Sequence, residues 1–521
     1  ERPEGGQARA EDLPEEGLIA VSKLTLPVAR RQLAELQKRE FALRHASGAL
    51  SFDAETLAPP GNIIARSQTL GILGESALEL ISSAEGIRLL DYLEDHLDAL
   101  TQPERRSVHL LRRSGEILRH VNLEEYLSFR KLANEALSAW SRAHEANDFA
   151  ALEPWLGRLF YAARRIASQT WPDSPPYEFW LDYNEEGLTQ AQCGAFFDEV
   201  REKIAPLQNY ARQFVQPDTG ILRCRVSPLY QQRIAHFNMD ALGVDRNRCR
   251  LAISDHAFTV AFSRYDVRIC TRYIPDSFTT SLYGVIHECG HALYELGTGE
   301  ALQYTRLGEG VSMSVHESQS RFYENMVGRS RAWTEFMWPV LTANIPELAG
   351  REPREFFRAV NAVKDTPLRD EADEVSYCLH ILLRYEIERA VMNGEAAVRD
   401  APAMWNELTK KYLGCEVTSD DEGILQDSHW AAGQFGYFPT YAFGTVAAAQ
   451  LMARMRESMD VDESLRAGDV SDINGWLEEN IWRYGALYQP RELLERATGG
   501  PLDVQCYADY LSDKLSEVYG V

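Results

Sequence analysis

His287, Glu288 and His291 have the residue types and spacing to hydrolyse an unactivated bond. They form an HExxH motif, and four residues of separation puts both imidazoles on one helical face, one turn apart. Two such imidazoles can share one zinc ion, with Glu288 beside the water that the metal polarises. A catalytic zinc takes three protein ligands and keeps a fourth position for water. The short-range supplier, a third His as in HExxHxxGxxH, is absent: Tyr294 and Gly297 stand there and no His follows nearby. The next segment, from Gly308 to Arg321, reads as a loop opening a helix, and it offers both His316 and Glu317. On a helix these point about 100° apart, so only one reaches the ion. A carboxylate with two neutral imidazoles is a common hydrolytic ligand set, and its charge helps hold a dication, which favours Glu317.

The elements that must carry these residues are mostly helices. Leu282, Val285, Ile286, Cys289, Leu293 and Leu296 recur at three- and four-residue spacing and mark one buried stripe under the motif, with Cys289 there for packing. The competing reading is a buried helix that happens to carry two histidines. Residues 1–18 are polar and rich in Gly and Glu, and are expected to form a flexible tail; residues 19–521 are expected to form a single catalytic domain. Helical periodicity begins at Leu24, with Leu33, Leu36, Phe41 and Leu43 on one broad face. Pro59-Pro60-Gly61 breaks the chain before a new helix from about Asn62. Amphipathic helices follow between residues 76 and 145, one of them over Arg105 to Val121. Another helix ends near Trp171, and a long one runs from Leu188 to Val215. The only clear β signal lies in Ala252–Ser254, Phe258–Phe262 and Val267–Tyr273, a small sheet just before the HExxH helix. Asp266 and Arg268 share a face of its last strand and are expected to fix the strand edge.

Composition narrows the function classes. Of 521 residues, 45% are hydrophobic and 25% charged, as in a soluble globular protein. A net charge of −24 points away from nucleic acid and anionic membrane as partners. The eight cysteines are scattered with no CxxC, no apolar run approaches the ~18 residues of a membrane span, and no secretory signal is visible, which together read as cytoplasmic.

HECGH and HESQSR, preceded by Asp266-Val-Arg268-Ile-Cys-Thr271, resemble the carboxypeptidase Taq family of zinc metallocarboxypeptidases. The likeness extends over most of the chain. Asp53 with Pro59-Pro60-Gly61 is similar to the family's N-terminal region. The segment from Arg369 through Ala372-Asp373-Glu374 to Ile381 is similar to its downstream helix. Gln426-Asp427-Ser-His429-Trp430 and Gly436-Tyr437-Phe438-Pro439-Thr440-Tyr441 look like its C-terminal signatures. The resemblance implies a mainly α fold with a deep substrate groove, and one zinc ion per chain on His287, His291 and Glu317. It further implies removal of C-terminal residues from peptides, and a homodimer. The chain departs from the family at Ala257, where His256-Ala257-Phe258 replaces His-Pro-Phe, at Phe52, which replaces Trp, and at Leu296, which replaces Gln.

Peptide hydrolysis also needs charge stabilisation and, for an exopeptidase, recognition of the terminal carboxylate. Glu288 is the expected general base and acid. His429, Tyr437 and Tyr441, among Gly and Pro, are candidate substrate or oxyanion contacts, as is His256. Arg369 is the stronger candidate for the carboxylate, because Arg384 is expected to pair with Glu388 on its own helix. Broad specificity is expected, and cobalt or manganese are possible substitutes for zinc. The rival readings are a zinc endopeptidase or dipeptidase using the same residues, and a non-enzymatic zinc-stabilised helical scaffold, which has no use for Glu288.

Overall fold

The computed structural model describes residues 24–521, so the expected tail at 1–18 lies outside the described residues. As the periodicity implies, helices dominate. The first, Leu26–Thr56, ends at the Pro-Pro-Gly break, and after a single 3₁₀ turn the next runs Ile63–Ser82. The helix expected from Arg105 starts earlier and spans Gln102–His120. Its start is set by a capping box, in which the Thr101 N–H donates to Glu104 at 2.8 Å and the Glu104 N–H to the Thr101 hydroxyl at 3.4 Å. The single helix expected from Leu188 to Val215 is two, Gln190–Lys203 and Ala205–Ala211. Pro206 is the physical reason: it lacks an N–H, and its ring clashes with the preceding turn.

Apolar side chains gather in one large cluster reaching from Ile117 to Leu515, with the HExxH helix inside it. The N-terminal helices build a second cluster from residues such as Ala29, Leu33, Leu90 and Leu111. Ion pairs tie the two bodies together. Arg306 meets the buried Glu40 and Arg44 meets Glu309, each at 2.6 Å, and Arg106 forks onto Glu186 while donating to the Ala486 carbonyl.

The sheet has three strands, β1 (Cys249–Ile253), β2 (Phe258–Ser263) and β3 (Asp266–Thr271), in the order β1-β3-β2. β1 runs parallel to β3 and β2 antiparallel to it. β1 begins before the expected Ala252 and ends before Ser254, although the Ser254 N–H still donates to the Thr271 carbonyl. Asp266 and Arg268 form a two-bond fork at 3.0 and 2.8 Å, and the guanidinium lies over the Phe262 ring, so both residues fix the strand edge.

The HExxH helix, Phe278–Gly297, packs against β2, β3 and the helix Met313–Arg321. Its apolar stripe is buried as the spacing requires: Leu282, Val285, Ile286, Cys289, Leu293 and Leu296 are all 5% exposed or less. The two helices touch backbone to backbone at Gly290, where a Cβ would stand 2.5 Å from the Gln319 carbonyl oxygen. Gly290→Ala should therefore cost about 1–3 kcal/mol by overpacking. A thermal midpoint lower than wild type would show it; an unchanged midpoint would refute this contact. Among the described residues no helix is long and apolar enough to cross a membrane.

Candidate metal centre

The HExxH helix presents His287 and His291, and Met313–Arg321 presents Glu317 across from them. Both Nε2 atoms lie 3.7 Å from Glu317 Oε2. One ligand atom from each residue falls within 4.8 Å of the others, the spread a single metal ion requires. The carboxylate is recessed and the imidazoles are partly open, at 19% and 17% exposure.

What orients these donors is more telling than their proximity. His287 Nδ1 is 2.9 Å from Glu324 Oε2, which leaves Nε2 bare toward Glu317. His291 Nδ1 meets His316 Nδ1 at 2.7 Å, and His316 Nε2 meets Glu295 at 2.8 Å. His316 thus stands behind His291, with Nδ1 turned to that ring and Nε2 to Glu295. Glu317 Oε1 accepts from Arg321 Nε at 2.6 Å, and Oε2 from the Ser320 hydroxyl at 3.0 Å. Arg321 lies over the Tyr377 ring and also reaches Glu324. Burial alone would raise the Glu324 carboxyl, but Arg321, the hydrogen bond from His287 and then Arg329 outweigh it and hold it ionised, well below the usual range. Burial, reinforced by His316 and His287, keeps His291 well below its ordinary value and hence neutral, the form that binds a metal. This donor set, bare Nε2 atoms and a carboxylate with outer-shell partners in place, fits a divalent ion.

The sequence elements explain why Glu317 stands where it does. Ser312 caps its helix, and the buried Glu185 accepts from the Ser312 hydroxyl (2.9 Å), the Ser314 hydroxyl (2.5 Å) and the Ser314 N–H (3.1 Å). On the far side, the helix Phe438–Arg456 passes so close that a Cβ on Gly444 would lie 2.7 Å from Glu317 Cβ. The chain then continues into a π-helical turn, Phe322–Gly328, which carries Glu324.

Glu288 is 5% exposed, and its Oε2 accepts from the Thr259 hydroxyl of β2 at 2.5 Å. Burial raises its carboxyl, with His287 and the Thr259 bond opposing. Thr259→Val keeps the shape and removes this bond. It should lower kcat by roughly 10–100-fold, from the ~1.5–3 kcal/mol of a hydrogen bond to a charged group. Steady-state kinetics with an unchanged kcat would sink that assignment.

The other candidates divide. His429 Nε2 is 3.1 Å from the Tyr441 hydroxyl, and Tyr437 packs edge-on against Tyr441. After burial, Glu317 is among the groups raising both tyrosines, so this cluster adjoins the donors. The Tyr437 hydroxyl also meets Met313 Sδ at 3.8 Å, and Met313 lines a cleft of about 530 Å³ with Tyr183 and Trp171. Arg369 stands over the Tyr441 ring with Nε and Nη2 both on Asp427 Oδ1, at 3.0 and 2.9 Å. Arg384 does not pair with Glu388. It is fully buried and gives its donors to Asp427 Oδ2 (2.6 Å), Gln426 (2.7 Å) and the His380 carbonyl (2.7 Å). A buried guanidinium needs several matched acceptors, which one carboxylate a turn away does not supply. His256 is exposed in the β1–β2 turn, where its carbonyl accepts from Ser254, and among the described residues its ring has no hydrogen-bond partner. Thr259, Arg321 and Glu324 were missed in the sequence. Only Arg321, four residues after Glu317, carried a local signal.

A helical fold with two bare imidazoles and a carboxylate on one point, and a second glutamate held beside them, defines a metallohydrolase of the HExxH class. The chain belongs to the carboxypeptidase Taq (M32) metallopeptidase family, whose model matches residues 32–515. It is accordingly a peptide hydrolase, a metallocarboxypeptidase. Carboxypeptidase 1 of Bacillus subtilis is 35% identical over 94% of this chain and 98% of its own. A solved carboxypeptidase from Pyrococcus furiosus matches with a TM-score of 0.91 at 34% identity, over 94% of this chain and 99% of that one. The M32 carboxypeptidase from Deinococcus radiodurans matches with a TM-score of 0.90 at 34% identity, over 95% and 100%.

Proposed function

We propose that this protein removes residues one at a time from the free C-terminus of peptides, with one zinc ion held by His287, His291 and Glu317. The observation that carries this reading is the convergence of those three donors with Glu288 beside them. When bound, the ion lowers the pKa of water toward ~7 and polarises the scissile carbonyl. Glu288 accepts the proton of the attacking water on its carboxylate and returns it to the leaving amine. Thr259 keeps that carboxylate from swinging away, while Glu324 and the His316–Glu295 pair keep the ligand rings in place. Tyr437 and Tyr441 supply hydroxyl donors for the developing oxyanion or the terminal carboxylate. Arg369 contributes Nη1, since its other donors face Asp427.

Broad specificity follows from the same donors, because Arg384 is wholly engaged and Arg369 keeps only the Nη1 given to the terminal carboxylate, which leaves neither to select an acidic side chain. The donor set also takes cobalt or manganese, and availability decides which ion it holds. A cytoplasmic homodimer completes the reading, resting on the scattered cysteines and on the family.

Mass spectrometry of a ten-residue peptide during digestion separates this reading from its rivals. Stepwise loss of single C-terminal residues is expected. Internal cuts would indicate an endopeptidase, and an intact decapeptide beside a cleaved dipeptide would indicate a dipeptidase.

A further inference from the structure

The loop from Gln426 to Tyr437, which carries His429 and leads into the helix Phe438–Arg456, is held at both ends by the helix Glu374–Asn393. That helix holds two fully buried charged residues one turn apart, Arg384 and Glu388. Residues with this spacing and these charges ordinarily pair with each other. Here they separate. Arg384 takes the loop's first end through Gln426 and Asp427. Glu388 takes the other end, where its Oε1 accepts the Gly436 N–H at 2.7 Å and its Oε2 stands 3.3 Å from the Tyr177 hydroxyl.

The chain at Gly436 has little freedom. Its φ is +70°, and any side chain would be driven into the Trp180 carbonyl. The Asn184 side-chain amide donates to the preceding carbonyl, that of Phe435, at 2.6 Å. The next residue is Tyr437. From Gly436, then, one amide held by Glu388 sets where Tyr437 enters the site.

We propose that Glu388 is a positioning residue for the substrate-facing loop: with Arg384 it clamps the loop at both ends and so holds Tyr437 and His429 against the metal centre. The proposal rests on the reading that Tyr437 meets substrate. A carboxyl is a poor choice for fold stability at this position. The titratable groups that act on it are the Tyr177 hydroxyl and the Cys193 thiol, with Tyr385 beside Tyr177, while Arg384, one turn back, gives its donors to Asp427, Gln426 and the His380 carbonyl instead. Burial pushes Glu388 up to about 8 against the opposing Gly436, Trp430 and Tyr177 donors. A carboxyl raised in the folded state stabilises least at high pH, so stability declines from the ordinary carboxyl range up to about 8. Glu388→Gln removes that slope and keeps an acceptor for Gly436.

A double-mutant cycle on the metal-loaded full chain tests the clamp, with Glu388→Met, which keeps the volume without an acceptor, and Tyr437→Phe. Each single change is expected to lower kcat/KM by at least roughly 10-fold, and the double no further than the worse single. Glu388→Gln should stay within about threefold of wild type. Its thermal midpoint relative to wild type should rise between about pH 5 and pH 8. Multiplicative losses in the cycle would overturn the clamp alone. Wild-type rates in Tyr437→Phe would overturn both the substrate contact and the clamp. If Glu388→Met does not fold, Glu388→Gln decides: a loss beyond 10-fold in a folded, metal-loaded variant overturns the proposal, and retention of rate with the flattened pH slope supports it.

Discussion

Glu288→Gln is expected to lower kcat/KM by roughly 10²–10⁴-fold while the protein keeps its metal ion. The reason lies in the separation of roles within one helix. His287 and His291 project toward Glu317, and none of the bonds that orient them involves the Glu288 carboxylate. Glu288 instead turns to Thr259 on β2, and a Gln there still accepts that hydroxyl's hydrogen bond. Substrate and metal binding should therefore survive, and only the proton transfer is lost, so the defect should fall on kcat rather than KM. Kinetics beside elemental analysis of the purified variant reads both quantities. Full activity would refute the base, and loss of the ion would show that Glu288 holds the centre together rather than serving it.

Glu317→Gln should produce the other large effect, and its signature is the reverse. Removing the carboxylate charge should weaken metal affinity by more than roughly 100-fold, beyond the loss that an outer-shell change gives. Gln keeps the volume that packs against Gly444, so the fold is expected to persist. Arg321 loses one partner but keeps Glu324, and the lost charge pair is partly compensated. Activity should then return only at high free metal concentration, in contrast to Glu288→Gln, which no concentration rescues. Titration of activity against added zinc, for both variants side by side, distinguishes them. A Glu317→Gln variant with wild-type affinity would remove Glu317 from the ligand set and leave His316 as the third donor.

Much of this centre was legible in the sequence because its signals are local. The apolar stripe fixed which face of the HExxH helix is buried, and the two imidazoles followed from their spacing. Glu317 followed from the need for a third ligand on the next helix. The partners that tune these groups come from elsewhere. Thr259 lies 29 residues from Glu288 and reaches it only because β2 packs on the helix. Glu324 sits on a π-helical turn, whose spacing no α-helical pattern anticipates. Arg384 followed the opposite course: the local rule named Glu388, but Asp427, 43 residues away, offered the better-matched site for a buried guanidinium. Two of the boundary differences were open to reading, since Pro206 and the Thr101–Glu104 capping box are both visible in the sequence.

The most direct measurement compares one peptide carrying a free C-terminal carboxylate with the same peptide as its amide, each with and without a chelator. The free acid should be trimmed, the amide at least roughly 100-fold more slowly, and the chelator should stop both until zinc is restored. Equal cleavage of acid and amide, or full activity in chelator, would contradict a metal-dependent carboxypeptidase.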